Sequence, residues 1–277
     1  MATSLTEIHQ PLTVSHEEWI EARKKLLQKE KEFTRLRDEL SRQRRELPRE
    51  RVEKNYVFNG PRGEETLADL FDGRGQLIVY HFMFAPGWSE GCKSCSYLSD
   101  HFDATTIHLA HRDATLAVVS RATWPELAAF KERMGWKFHW VSSYGSDFNF
   151  DYKVSVSDAD RARGKRTYNY AEIDFMLEEL PGLSVFSKDQ DGTIYHTYSS
   201  YARGLDILVG TYNFLDHAPK GRDEEGLKHP MAWVRHHDKY ENNYFVDTNS
   251  DYVPPAPAVQ AKPAEPLGHS CCSGEHD

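Results

Sequence analysis

The sequence predicts an α/β fold organised around a mixed β-sheet. Apolar, strand-like runs at "QLIVYHFMF" (76–84) and "ATLAVVS" (114–120) alternate with helical patterns, as in a sheet flanked by helices. Two β-rich runs around Asp191-Gly192, in "LSVFSKDQDGTIYHTYSS" (183–200), then close the pattern as a hairpin. A length of 277 residues with 39% hydrophobic residues is ample for a proper core.

Residues 15–46 read as one long helix. Ser15 is placed to cap it, and Glu17 and Glu18 in the first turn suit the positive helix end. Trp19, Leu26, Phe33 and Leu40 recur every seven residues, with Leu27 and Leu36 beside them. Too few clean heptads and many arginines favour packing of this stripe back on the domain; a homodimer through the helix is the alternative. Pro48 ends the helix. A short strand at 56–58, a turn at Asn59-Gly60 and a brief helix near 66–71 lead to the strand at 76–84, apolar enough to be buried on both faces. A helix over 92–102, the strand 114–120, a helix over 124–136 and a strand at 138–143 follow. Residues 144–170 read as an elaborate loop. After the hairpin, helices are expected near 201–216 and 230–240. The organisation is an N-terminal helical extension (1–55), a main domain (56–245) and a Pro/Ala-rich, flexible, disordered tail (246–277).

Composition excludes several classes. A formal net charge of −9 argues against a nucleic-acid binder. Residues 16–54 carry 13 Lys/Arg against 10 Asp/Glu, but the signs are mixed, as on a solvated helix face. No run of 18 apolar residues predicts a membrane span, and the N-terminus has no secretory pattern. Four cysteines are too few for a secreted disulfide scaffold, so a cytoplasmic setting is expected, in which a Cys-x-x-Cys pair is more often chemical than structural.

That pair is Cys92-Lys93-Ser94-Cys95, within "FMFAPGWSEGCKSCSYLSD" (82–100). Three readings compete. As a dithiol at the start of a helix, Cys92 would be the attacking thiol, its thiolate favoured by the helix end and by Lys93, and Cys95 the resolving thiol. As half of a zinc site, the pair would be joined by His108 and His111, although the gap between those histidines is one residue short. As inert residues, both would simply be buried. A buried strand leading into the pair favours the dithiol, which needs no cofactor, and no metal ligands are assigned. Trp88 and Ser89 in the preceding loop, with Lys93, are the expected substrate contacts; His81 lies within the buried strand. The expected partners are a protein or small-molecule disulfide or thiol and an electron donor of unidentified nature.

With these elements placed, residues 56–215 resemble the thioredoxin fold: "QLIVYHFMF", a loop, and "CKSC" at a helix start match its active-site layout. The resemblance implies a cis-proline beside the cysteines before a hairpin strand, and Pro181 in "LPGLSVFSKDQDG" stands at that place. More narrowly, "LIVYHFMFAPGWSEGCKSCS", "GLSVFSKDQDGTIYHTYSSYARGLD" and "PMAWVRHHDKY" resemble an uncharacterised bacterial and fungal thioredoxin-like family, a domain of unknown function, over most of residues 15–240. The dipeptide Lys93-Ser94 and the long loop from Ala85 to Cys92 depart from thioredoxin. A peroxiredoxin-like peroxide reductase using Cys92 is a second reading. Ser89 stands three before Cys92 as in that pattern, but Pro86 is one position too close. A third, of another class, is a non-catalytic binding protein that keeps the fold, with zinc on the cysteine pair.

Other features have plainer readings. Asp147, Asn149 and Asp151 alternate as in a calcium loop but lack its glycine and closing glutamate, so a polar edge is expected. Tyr195, His196, Tyr198 and Tyr201 read as an aromatic face, with Arg203 beside them. Cys271 and Cys272, between His269 and His276, are assigned no role.

Overall fold

The computed structural model describes residues 12–240. Its first element, α1 (His16–Glu46), begins with the expected cap: the Glu18 amide donates to Ser15 Oγ at 3.3 Å, and the Ser15 amide donates to the Glu18 carboxylate at 2.9 Å. The apolar stripe of α1 does not pack back on the domain, contrary to expectation. No residue of the helix is buried, and Phe33 is 64% exposed. Ion pairs along the helix, such as Arg42 with Glu39, do not depend on tertiary packing. Near the domain, Arg44 lies over the Tyr198 ring at 5.5 Å.

The next strands are β1 (Glu50–Arg51), β2 (Val57–Gly60) and β3 (Gly63–Thr66), the last two forming a hairpin. The expected helix near 66–71 shortens to a single 3-10 turn, Asp69–Phe71, after which β4 (Gln76–His81) crosses the middle of the molecule. The expected helix over 92–102 is two: α2 (Lys93–Ser99) and α3 (Phe102–Ala110), separated at Asp100-His101. The Asp100 carboxylate accepts from Trp136 Nε1 and pairs with His237, and Asp103 accepts the amides of Lys137 and Phe138, which ties the break to the chain entering the strand that begins at His139. Then follow β5 (Ala114–Ser120), α4 (Trp124–Arg133) and β6 (His139–Ser142), close to their predicted bounds.

Residues 144–170 are more regular than a loop. They hold α5 (Phe148–Asp151), α6 (Asp158–Arg163) and β7 (Arg166–Tyr168), which pairs with β8 (Ala171–Ile173). These pieces are each six residues or fewer, too short for a helical or strand period to emerge from sequence. Asp147 and Asp151 take Lys54 as a common partner, a polar edge as expected. The hairpin is β9 (Gly182–Lys188) and β10 (Ile194–Tyr201), with Gly192 at φ +85 in its turn. A 3-10 stretch (Ala202–Leu208) and α7 (Gly210–Leu215) replace the predicted helix 201–216. Residues 230–240 are mostly irregular rather than helical, because Pro230 and Met231 (φ +64) turn the chain, and their contacts are made along an extended path.

The sheet runs β1-β10-β9-β4-β5-β6-β2-β3. β4 pairs parallel with β5 and antiparallel with β9, and β9 pairs antiparallel with β10. This parallel pair flanked by an antiparallel hairpin, with the cysteine helix after the central strand, is the thioredoxin-like arrangement expected. Alternation along β4 separates two cores. Tyr80 and Phe82 join Leu98, Phe102, Phe130, Trp140 and Tyr212 under the helices, whereas Leu77 and Val79 join Phe58, Phe71, Phe148 and Phe186 on the other face. Each fully buried large side chain of this kind contributes on the order of 2 kcal/mol, so both faces of β4 are held. The expected boundary of the main domain at 245, and the tail from 246 to 277, lie outside the described residues.

Candidate active site

The cysteine pair sits where β4 leaves the sheet. Backbone bonds from Phe82 N–H to the Val119 carbonyl (2.9 Å) and from Ala122 N–H to the Phe84 carbonyl (2.7 Å) extend the strand's path beyond its last ladder residue. The loop then turns at Gly87 (φ +79), whose amide donates to Glu126 Oε1 at 2.8 Å, and returns so that Cys92 N–H donates to the Met83 carbonyl at 3.0 Å. Gly91 is required by packing: a Cβ there would lie 2.6 Å from the Phe82 ring and 2.9 Å from the Phe130 ring. Its carbonyl accepts from His236 Nε2 at 2.9 Å, with the imidazole edge-on to Phe130. The residue before the first thiol is thus held from both sides.

Cys92 is half-buried at the N-cap of α2, and Cys95 is buried at 2% exposure one turn in; both are free thiols. The two sulfurs share a hydrogen bond that favours the thiolate of Cys92. Burial opposes it, but the Cys95 and Ser94 amides and the Lys93 charge add to it, and the Cys92 thiol comes down to about 7. Cys95 moves the other way, well above the ordinary thiol value, because burial and its bond to Cys92 both favour the protonated form. The Met83 amide approaches Cys95 Sγ at 3.5 Å, and the Tyr80 hydroxyl hydrogen-bonds the same sulfur.

The other predicted residues divide. Trp88 packs on the same core as Cys92, while Ser89 is exposed in the turn. Lys93 Nζ donates to the Ala232 carbonyl at 3.3 Å, so it also braces the chain segment that passes over α2. Pro181 lines a cleft with Cys95. Its peptide bond, however, is trans: no described residue has a cis bond. The chain reaches Pro181 already extended, since Leu180 N–H donates to the Val154 carbonyl at 2.7 Å and Glu179 bridges Ser155, and an extended residue before a trans proline is the sterically favoured state. His108 and His111 are exposed, one within and one at the end of α3, and no three His, Cys, Asp or Glu residues among those described form a group able to hold a metal ion. The zinc reading therefore finds no assembled ligand set. Arg121, the arginine between β5 and α4, is engaged by Glu178 and Glu179.

Two parts of the site escape sequence reasoning. Tyr80 is one; strand alternation in β4 carried the signal, because it sets Tyr80 on the face opposite Leu77 and Val79. The other is a cleft of about 1100 Å³ that opens onto Ser94 and Cys95. Its floor includes Tyr80, Met83, Leu205 and Tyr212, and its far wall comes from residues 220–231. That wall is braced by Glu224, which accepts from Tyr212, Met231 and Trp233. Nothing in the local pattern of 220–231 places it beside the cysteines; only the path of the chain does.

Residues 8–240 match the family described as bacterial protein of unknown function (DUF899). The chain belongs to this family. No curated protein matches. Among solved structures, the DUF899 chain is similar to the peroxidoxin BcpB of Mycobacterium tuberculosis, at 14% identity and a TM-score of 0.36, over 60% of this chain and 95% of that one. It is also similar to a mutant PrxQ of Xylella fastidiosa (12% identity, TM-score 0.39, 60% and 94% covered). A third is the mitochondrial 2-Cys peroxiredoxin of Plasmodium falciparum (12%, 0.36, 62% and 96%).

Proposed function

We propose that this protein is a thiol–disulfide oxidoreductase in which Cys92 attacks and Cys95 resolves. The observation that carries the reading is the opposed environment of two hydrogen-bonded sulfurs. Cys92 is accessible and held toward the thiolate, while Cys95 is buried and held toward the thiol. In reduction of a client disulfide, the Cys92 thiolate attacks one client sulfur, and the other leaves with the electron pair. Cys95 then gives up its proton and attacks Cys92 Sγ. The client sulfur that Cys92 had attacked leaves with the electron pair, and a Cys92–Cys95 disulfide remains. The Tyr80 hydroxyl, bonded to Cys95 Sγ, stabilises the charge that forms there in the second step.

Reduction of a small aromatic disulfide such as 5,5′-dithiobis(2-nitrobenzoate), followed with single-cysteine variants, tests this. Cys92→Ser is expected to abolish the fast reaction, and Cys95→Ser to stop at a mixed disulfide on Cys92 detectable by mass. Equal behaviour of both variants and the unaltered protein would sink the proposal. Consumption of hydrogen peroxide at a rate exceeding disulfide reduction would replace it with the peroxide reading.

A further inference from the structure

The long helix α1 keeps an apolar row that the rest of the chain does not cover. Trp19, Leu26, Phe33, Leu36 and Leu40 remain between 44% and 64% exposed, and no residue of the helix is buried. Single exposed apolar side chains are normal on a monomer, whereas a continuous row of them marks an interaction surface. With heptad position a at Trp19, Leu26, Phe33 and Leu40, position d falls on Ala22, Lys29, Leu36 and Gln43. The a row is apolar throughout. Polar residues at two d positions are why the seam looks short when hydrophobicity alone is read; such residues lower stability and help to fix register. The Lys29 stem can lie along the seam with its ammonium group in water.

Charges on the flanks of the seam identify its cover. The g positions, one before each a, are Glu18, Lys25, Glu32 and Glu39. The e positions, four after each a, are Arg23, Glu30, Arg37 and Arg44. In a parallel pair of helices, each g side chain faces the next e side chain of the partner. A second copy of α1 in register therefore sets Glu18 against Arg23, Lys25 against Glu30, Glu32 against Arg37 and Glu39 against Arg44. Every pair is opposite in sign, and the one basic g residue meets the one acidic e residue. An antiparallel pair sets g against g and e against e. Three of those g residues are acidic and three of the e residues basic, so like charges would meet. Among the described residues, Lys25, Glu32 and Arg37 make no ion pair within the single chain. Arg23 and Glu30 pair with each other at 2.8 Å, which sets these e residues on one flank; an exposed pair of this kind is readily exchanged.

We propose that α1 is a dimerisation arm, through which two copies of this chain pair in parallel and in register along a seam from Trp19 to Leu40. At 1.5 Å per residue that seam is about 32 Å long. Covering its five large apolar side chains in both copies removes on the order of 1,000 Å² from water, the threshold of a specific interface, so the dimer is weak and reversible. Both domains then follow Pro48 at the same end of the arm. The pairing involves neither Cys92 nor Cys95, and it stands or falls separately from the chemistry at those thiols.

Sedimentation equilibrium of the full chain tests the arm. The protein is expected to pass from monomer to dimer between low and high micromolar concentration. Phe33→Asp, which puts a charge in the seam, is expected to raise the dissociation constant at least about tenfold. Orientation is read from the pair Glu32 and Arg37, since Arg44 also lies over Tyr198 of the domain. Glu32→Arg and Arg37→Glu each bring like charges together in the parallel dimer, and each should weaken it about threefold or more. Glu32→Arg/Arg37→Glu in one chain makes the pair opposite again and should return the dissociation constant to within about twofold of the unaltered value. Thermal unfolding of all four variants in dilute solution is expected to match the unaltered protein, which separates loss of pairing from loss of the fold. A chain that stays monomeric throughout, or a dimer that Phe33→Asp does not weaken, would overturn the arm. A double variant no tighter than the single ones would overturn the parallel register.

Discussion

On one face of β4 Tyr80 reaches Cys95; on the other, His81 is enclosed by aromatic rings. Both side chains are almost fully buried, and both titrate far from their ordinary values. His81 is stacked against Phe148 and Tyr152, with ring centroids 5.5 and 5.8 Å away, and its Nε2 lies 2.9 Å from Ser184 Oγ. Ser184 continues to Ser199 and His196. Burial, with His196 nearby, lowers the His81 imidazole to about 3, so it stays neutral. The cysteine face instead couples two groups that share a hydrogen bond, so one moves down and its partner up. Burial by itself silences a titratable group. Burial combined with a shared hydrogen bond drives two groups apart, Cys92 down and Cys95 up.

The largest effect that would break or sharpen this contrast is in thiol reactivity. Alkylation of Cys92 by iodoacetamide is expected to rise with pH around a midpoint near 7, since the thiol is protonated below it and a thiolate above. At pH 7, Cys95 is expected to react at least about a hundredfold more slowly. Peptide mapping of the label decides it, and similar rates would erase the distinction.

On the His81 face the pH effect is on stability. His81 is neutral in the fold down to about 3, whereas in the unfolded chain it protonates below about 6.5. The unfolded state binds the additional proton, so this contribution is fully present above pH 6.5 and is lost progressively as pH falls toward 3, at up to about 1.4 kcal/mol per unit. Urea unfolding between pH 4 and 7 should therefore show a shallower acid loss in His81→Phe, with disulfide reduction retained. An unchanged slope would contradict the assignment.

Smaller effects follow. Tyr80→Phe removes one hydrogen bond to Cys95, worth about 1 kcal/mol, and should slow resolution of the mixed disulfide about fivefold in stopped-flow traces. Ser184→Ala, on the opposite face, should leave that step unchanged. Smallest of all, Phe33→Ser on the exposed stripe of α1 should shift the thermal stability of the monomer by less than about 0.5 kcal/mol, because Phe33 is 64% exposed and no residue of the helix is buried. A larger loss measured at high protein concentration would mean that the stripe is covered by another copy.

The strands β4, β5 and β6, the helices α1 and α4, and the hairpin of β9 and β10 were legible because each is long enough for its period or its turn residues to speak locally. So was the adjacency of Cys92 and Cys95, one turn apart in any helix. The short pieces between 144 and 173 were not, and neither was the trans bond at Pro181.

By itself, the sequence determined a mixed α/β sheet, a dithiol at the mouth of its central strand, and the order in which the two thiols follow that strand. Tertiary structure decided what each thiol experiences. It brought Tyr80 under Cys95, set His236 against Gly91, and folded residues 220–231 into the wall of a cleft that Cys95 also lines. The reason is one of range. Hydrophobic period and turn chemistry act between near neighbours in the chain, whereas burial and hydrogen bonding, which set the acidity of a thiol, depend on groups that only the folded path brings together.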